Sequence, residues 1–545
     1  MKTKAVHVLC ERAAISESLL SALESLTPVD MQTRDHDTGD TGPDALIELP
    51  PARGSGRSQA DPSTHRLRIE CSGEPGSSHG ADVRFGCSMD LDRRLRGRTL
   101  PHAPIQGIGP IEILPGDDVL AHYGDLPVWV KRREQNHVVD IVSTPPPRPA
   151  PDQHLFDYLN GDHFMQVLPW LHFLREVTSD IAWAGPSLRS CFMFDDPNLH
   201  WHSYGCISYK GLIEQAKARN YHVAIATVPL DGWFVHRPTA RLLREHPDRL
   251  SLLIHGNDHT RGELAHHRGR AERLRFLAQC LQRVEVFERR AGLRVDRVMA
   301  PPHGAHSESM MPDMLALGFE GACISPGSLR GWAKGKQWAA TFGLEPAQIM
   351  ADGFPVLPRF RLSPSCEGDI VIAAFLDRPI IPVGHHASVA DGLDLLARLA
   401  GIVNSFEGVQ WQGVESILRS NFCTRMEGES LALRPFSQRI ALDIPPHVDT
   451  LRLIPPVSAP TTDRDALFIT RDAAAGSEPK TTRAGEPIRV RPGSRIEIVS
   501  TRLGVVDFHN IAAGGPRMWP VLRRALCESR DRCFPLIRRL AARHP

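Results

Sequence analysis

The core of this 545-residue chain is predicted to be an α/β fold, on three observations. Between about residues 152 and 425 short apolar runs alternate with helical patterns, those patterns place apolar residues three and four apart, and polar residues gather where the apolar runs end. Such alternation makes parallel strands wrapped by helices, as an α/β barrel or an open sheet. The expected strands are 191–194 (CFMF), 222–228 (HVAIATV), 250–255 (LSLLIH), 297–301 (RVMAP), 321–325 (GACIS) and 379–386 (PIIPVGHH). Helices are expected over 209–220, 269–292 and 391–406. In the second of these, Leu274, Leu277, Leu281, Val284 and Phe287 line one face, with arginines and glutamates between.

The flanks read differently. Residues 34–65 are rich in Asp, Gly, Ser and Pro and are expected to be loop. Strands follow at 66–71, 111–114, 126–133 and 137–143, the last two as a hairpin. The proline cluster TPPPRPAP at 144–151 then marks a boundary, so residues 1–150 form an N-terminal α/β or β-rich domain and 152–425 the α/β core. Residues 430–510 hold short alternating runs split by Pro and Gly, as in a β-sandwich, and 514–545 is an arginine-rich helical tail read as an amphipathic helix docked on the body.

Composition narrows the function. Lys plus Arg (64) nearly cancels Asp plus Glu (63), so no global field exists to hold nucleic acid or an anionic membrane. The N-terminal apolar stretch is short and interrupted by charge, and nowhere do about 18 apolar residues run together, so no membrane span is expected. The 11 cysteines are scattered without a CxxC pair, against a disulfide framework or a cysteine zinc site, and a cytoplasmic protein is the simplest expectation. There is no GxxxxGK phosphate loop and no GxSxG nucleophile elbow. Oligomeric state is not legible.

The chemistry starts in SCFMFDDPNLHWHSYG, Ser190 to Gly205, where an apolar run ends in two adjacent carboxylates, Asp195 and Asp196. Two like charges at a strand end call for a nearby cation. The candidates lie at other strand ends, which in α/β folds share one mouth: His255 and His259 in LIHGNDHT, Pro301 to Gly304, and His385 with His386. His255 and His259 are four apart, which puts both imidazoles on one side if Gly256 and Asn257 lead into a helical turn. With Asp196 as third ligand they make a His–His–carboxylate set suited to zinc or a similar divalent ion.

In this order, an Asp-Asp strand end, HxxxH, a Pro-Gly loop and a final strand-end His, the chain resembles the polysaccharide deacetylase family, or NodB-homology domain, over about 190–390. The resemblance implies a distorted (β/α) barrel and a carbohydrate esterase that removes acetyl groups from sugars with one divalent metal, usually zinc. It implies Asp195 as catalytic base, Asp196, His255 and His259 as metal ligands, and His385 or His386 as the acid, His385 being favoured because it follows Val383 and Gly384 directly. APPHG at 300–304 matches the family's arginine-proline-proline-tyrosine-glycine loop, so Pro302, His303 and a backbone N–H near His303 would face substrate, with His386 as a further contact; apart from the resemblance, Trp201 near the expected mouth could stack on a sugar ring, with core packing the equal alternative. The chain departs from the pattern at Ala300, where the family has arginine, at His303 for tyrosine, and at Pro197 and Asn198 after the double Asp. Arg359 or Arg361 is the candidate replacement for the arginine.

The expected function is therefore hydrolysis of an N-acetyl group on a carbohydrate by a metal-activated water, with an Asp base and a His acid; its partner would be an acetylated sugar or oligosaccharide. Two other functions fit the same residues: a sugar-binding or scaffolding protein that keeps the fold without turnover, and a glycosidase. Adjacent aspartates on one strand rarely face each other across a bond, which ranks the glycosidase last. His200, His202, His266, His267, Tyr204 and Trp233 are read first as packing or surface residues, and GWAKGKQW at 331–338 as a surface loop.

Overall fold

The computed structural model describes residues 3–10, 15–34, 43–49, 64–71, 79–134, 137–150, 153–266, 268–456, 467–472, 478–515 and 517–541. They fall into two compact units, Met1–Trp183 with Trp338–Glu345 and Glu367–Leu376, and Ala184–Gln337 with Pro346–Cys366 and Asp377–Pro545.

The first unit is built on a nine-stranded sheet in the order Val29–Arg34, Lys4–Leu9, Ala45–Glu48, His65–Ile69, His137–Val142, Leu126–Glu134, Asp118–Tyr123, Ala81–Phe85, Thr99–His102. The expected hairpin is present, pairing Trp129 with Val142 through Glu134 with His137. Two expectations are corrected. Residues 111–114 are not a strand: Pro110 and Pro115 bracket them, Ile111 alone is buried, and Glu112 to Leu114 face solvent. Within 34–65, read as loop, Ala45–Glu48 is a strand paired on both sides, its Ala45, Leu46 and Ile47 fully buried; most of the remaining stretch lies outside the described residues.

The second unit carries the predicted alternation. Its central sheet runs Gln348–Ile349, Pro355–Pro358, Gly321–Ile324, Asp296–Met299, Leu250–Ile254, Val223–Thr227, Phe192–Asp195, Pro382–Gly384, Phe360–Arg361. Every pairing is parallel except that of Gln348–Ile349. Strands buried on both faces explain the near-continuous apolar runs. The helices Tyr209–Arg219, Arg270–Ala291 and Asp394–Asn404 form where the spacing placed them; Leu277, Leu281, Val284 and Phe287 are buried and Leu274 is half-buried.

Among the described residues the hydrogen-bonded ladder is not seen to close into the expected barrel. Its two ends are Gln348–Ile349 and Phe360–Arg361, each two residues long and not paired with each other. The chain passes from Pro355–Pro358, near one end, to Phe360–Arg361, at the other, through the single residue Arg359.

After this sheet come two four-stranded sheets. One contains Phe422–Glu427, Ser430–Pro435, Thr450–Leu453 and Pro487–Arg489, the other Arg439–Asp443, Arg495–Ser500, Leu467–Asp472 and Lys480–Arg483. Leu431, Leu433, Leu451 and Ile488 from the first and Ile440, Phe468, Ile496 and Ile498 from the second share one apolar cluster. The chain ends in the helix Met518–Ala541. Among the described residues, no helix is long and apolar enough to cross a membrane.

Candidate active site

The site is assembled from the segments that follow the C-terminal ends of four parallel strands. Asp195 closes the strand Phe192–Asp195, and Asp196 follows with φ 86°. That left-handed turn sends the two carboxylates to different partners, which is how adjacent like charges are accommodated. Asp195 Oδ1 lies 3.1 Å from Arg359 Nη1, and both side chains are buried. Arg361 is exposed. Asp196 Oδ1 lies 2.9 Å from His259 Nε2 and 3.8 Å from His255 Nε2.

His255 and His259 do converge, but not through the helical turn expected of their spacing. Residues 255–260 are irregular, with φ 66° at Gly256 and 54° at His259. Glu263 holds this loop: it is buried, and its carboxylate accepts from the backbone N–H of Asn257 (2.7 Å), Asp258 (3.1 Å) and Thr260 (3.0 Å) and from the Thr260 hydroxyl (3.2 Å). From the other side Arg283 binds the side chains of Asn257 (2.7 Å) and Asp258 (2.5 Å). Of the six non-glycine residues with positive φ among the described residues, three are Asp196, His259 and His303. Strain of about 1–3 kcal/mol per residue is concentrated where side chains must be aimed.

Ligand atoms of Asp196, His255 and His259 lie within 4.8 Å of one another. The His255 Nδ1 sits 2.8 Å from the Ala300 carbonyl, which leaves Nε2 directed at Asp196. Burial pushes the His255 pKa down to about 4, so the ring is neutral at pH 7, the form that ligates a metal. Burial alone would raise the Asp196 carboxyl; the His259 hydrogen bond, with the Arg524 guanidinium beside it, holds it well below the usual carboxylate range. One carboxylate and two imidazoles of this kind could hold a divalent ion, and the donor set suits zinc.

The other residues singled out from the sequence divide into two groups. His303 is exposed, with its ring 5.7 Å from that of His259, and His385 is exposed with Nε2 3.7 Å from Asp196 Oδ2. Pro302 is buried behind the loop, and Trp201 is exposed, its ring 6.4 Å from His236. His386 turns away from its neighbour: it is buried, 3.4 Å from Asp531 and against Tyr204 and Phe534. Its place as a substrate contact is corrected accordingly. His202 and His266 are exposed, and His267 lies outside the described residues.

Sequence reasoning missed three residues that touch the site. Glu263 had a signal, since Thr260 and Glu263 have the S/T-x-x-E spacing in which a carboxylate reaches back to backbone donors. Arg523 and Arg524, some 260 residues further on, had none. Arg523 donates to the His259 carbonyl, and Arg524, buried, lies 3.4 Å from Asp196 Oδ1 and 2.8 Å from Asp231.

No protein-family model and no curated protein sequence matches the chain. Solved structures do. Agd3, described as a novel carbohydrate deacetylase, aligns with a TM-score of 0.50 at 9% identity, over 92% of this chain and 99% of its own. The likeness is one of fold. The peptidoglycan deacetylase PdaC of Bacillus subtilis aligns over 43% of this chain and 91% of its own, at 13% identity and TM-score 0.25. A family 4 carbohydrate esterase of Streptomyces lividans aligns over 44% and 97%, at 14% identity and TM-score 0.25. At such identities the relationship is distant.

Proposed function

We propose that this chain is a hydrolase that removes an acetyl group from the nitrogen of an amino sugar. The observation that supports it most is the grouping, at the C-terminal ends of parallel strands, of a His–His–Asp metal-ligand set beside a second aspartate held by its own arginine. Asp196, His255 and His259 would hold the metal, with zinc the natural occupant; when bound, it supplies Lewis acidity toward the acyl oxygen and the water. Asp195 takes the proton from the water, and Arg359 keeps Asp195 aimed. The His303 peptide N–H receives charge on the acyl oxygen. His385 protonates the departing amine, and the exposure of its ring lets it reach a substrate.

Two measurements test this. Elemental analysis of the purified protein should find about one zinc or similar ion per chain, lost in His255→Ala/His259→Ala. Acetate release from N-acetylated sugars should be abolished in Asp195→Asn with the metal retained; wild-type turnover in that variant ends the proposal.

One observation favours a second function. Arg524 already gives Asp196 a cationic partner, as in a protein that binds sugar without turning it over. That reading requires sugar binding with no acetate released under any metal, and a single confirmed turnover removes it.

A further inference from the structure

The C-terminal helix Met518–Ala541 is built inside out. Met518, Trp519, Leu522, Leu526 and Ile537 are exposed, while Arg524 and Asp531 are buried. A surface helix ordinarily buries its apolar stripe; this one is fastened by charge. Arg524 binds Asp231 (2.9 Å) and the Asp196 carbonyl (2.6 Å). Glu528 binds His200 (3.0 Å), and Arg532 donates to the Ser203 carbonyl (3.1 Å). Asp531 accepts from the Tyr204 hydroxyl (2.7 Å) and lies 3.4 Å from His386, while Arg523 donates to the His259 carbonyl.

These partners sit in the segments after four strands of the central sheet: 196–204 after Phe192–Asp195, Asp231 after Val223–Thr227, His259 after Leu250–Ile254 and His386 after Pro382–Gly384. The helix therefore lies across the strand ends that carry the metal-ligand set. It seals Tyr204, His200, Asp231 and His386, and leaves His303 and His385 exposed. The helix is anchored at several points along its length, by Arg524, Glu528, Asp531 and Arg532.

We infer that this helix closes one side of the face that carries the ligand set, so that the site accepts a small N-acetylated amino sugar or the terminal residue of a chain, and excludes residues inside a polymer. An internal residue needs a cleft open on both sides, so that the chain can continue past the reacting unit. Here a substrate enters from the exposed His303 and His385 side and must end at the helix that covers Arg524 and the Tyr204–Asp531 pair. This rests on the deacetylase reading above.

The test uses the full-length protein loaded with zinc and N-acetylhexosamine oligomers of one to six residues, with the position of each lost acetyl group read by fragment mass spectrometry. Loss from a terminal residue should exceed loss from any internal residue at least tenfold, and Glu528→Ala/Asp531→Ala should narrow that ratio. Equal loss at internal residues in the wild type overturns the inference. Hydrogen exchange over 518–541 supplies a readout independent of turnover: exchange should be slow, and exchange at the rate of a free peptide shows that no wall exists in solution and overturns the inference alone. A protected helix and bound zinc with no acetate from any oligomer overturns the deacetylase reading, and the inference with it.

Discussion

Replacing Arg359 by methionine tests the logic of the paired aspartates. The Arg359 Nη1 to Asp195 Oδ1 distance is 3.1 Å, with the two side chains 7% and 6% exposed. At that separation and an effective dielectric near 20 the attraction is about 5 kcal/mol, and breaking a buried pair by removing one partner costs about 3–5 kcal/mol. Methionine keeps most of the volume and removes the charge, so cavity formation adds little and the loss reports the stranded carboxylate. Taking about 3 kcal/mol, the transition of the second unit should fall by roughly 4 °C in a thermal melt followed by near-UV circular dichroism. The hydrogen bonds of Arg359 go to Asp195 and Met193 and not to Asp196, His255 or His259, so metal content should stay at the wild-type value while acetate release falls at least tenfold. Arg359→Lys, which keeps a point charge without the planar fork, should recover part of both. A melting temperature within 1 °C of wild type in Arg359→Met would show that Asp195 does not depend on this cation and would refute the account of the double Asp.

Further outcomes follow from the same contacts. Glu263→Ala orphans two buried backbone N–H groups, each worth about 1–3 kcal/mol, and a part-buried third, and should weaken zinc binding about 10- to 100-fold by calorimetric titration, with Glu263→Gln intermediate. Gly256→Ala should be more damaging than its size suggests, because φ is 66° there and the added Cβ would overlap Glu263 Oε1 and stand 2.7 Å from Pro302 Cγ; thermal melting together with zinc content reads the effect. The helix anchor should depend on pH in both directions. Burial lowers the His200 pKa, but the Glu528 hydrogen bond, with the Asp231 carbonyl, outweighs it and the net shift is upward, so this contribution is full below the ordinary value of 6.5 and is lost as pH rises through the raised one. For Glu528, burial is outweighed by His200 and Arg532, which bring its pKa to about 2, so its contribution is present above the ordinary 4.5 and is lost as pH falls toward 2. Hydrogen exchange over 518–541, corrected for the intrinsic rate, should thus be slowest between about pH 4.5 and 6.5; protection that keeps rising above pH 8 contradicts the His200–Glu528 anchor.

What the sequence by itself determined was local and periodic. Apolar runs four to eight residues long, and helices such as Arg270–Ala291, follow from spacing alone, and the ends of those runs carried Asp195, Asp196, His255, His259 and His385 into view because parallel strands deliver their termini to one face. The strand at Ala45–Glu48 and the false strand at 111–114 show the limit: pairing partners and flanking prolines decide, not hydrophobicity. Only the tertiary structure decided which of two adjacent residues faces the site. Asp195 and Asp196 part company at a left-handed φ, and His385 and His386 do so at the end of Pro382–Gly384, where one imidazole is left exposed and the other is buried under the C-terminal helix. The choice of Arg359 over Arg361 and the arrival of Arg523 and Arg524 beside residues some 260–330 positions away belong to the same class. Such contacts are set by long-range packing and charge pairing across a folded surface, and no periodicity within the chain encodes them.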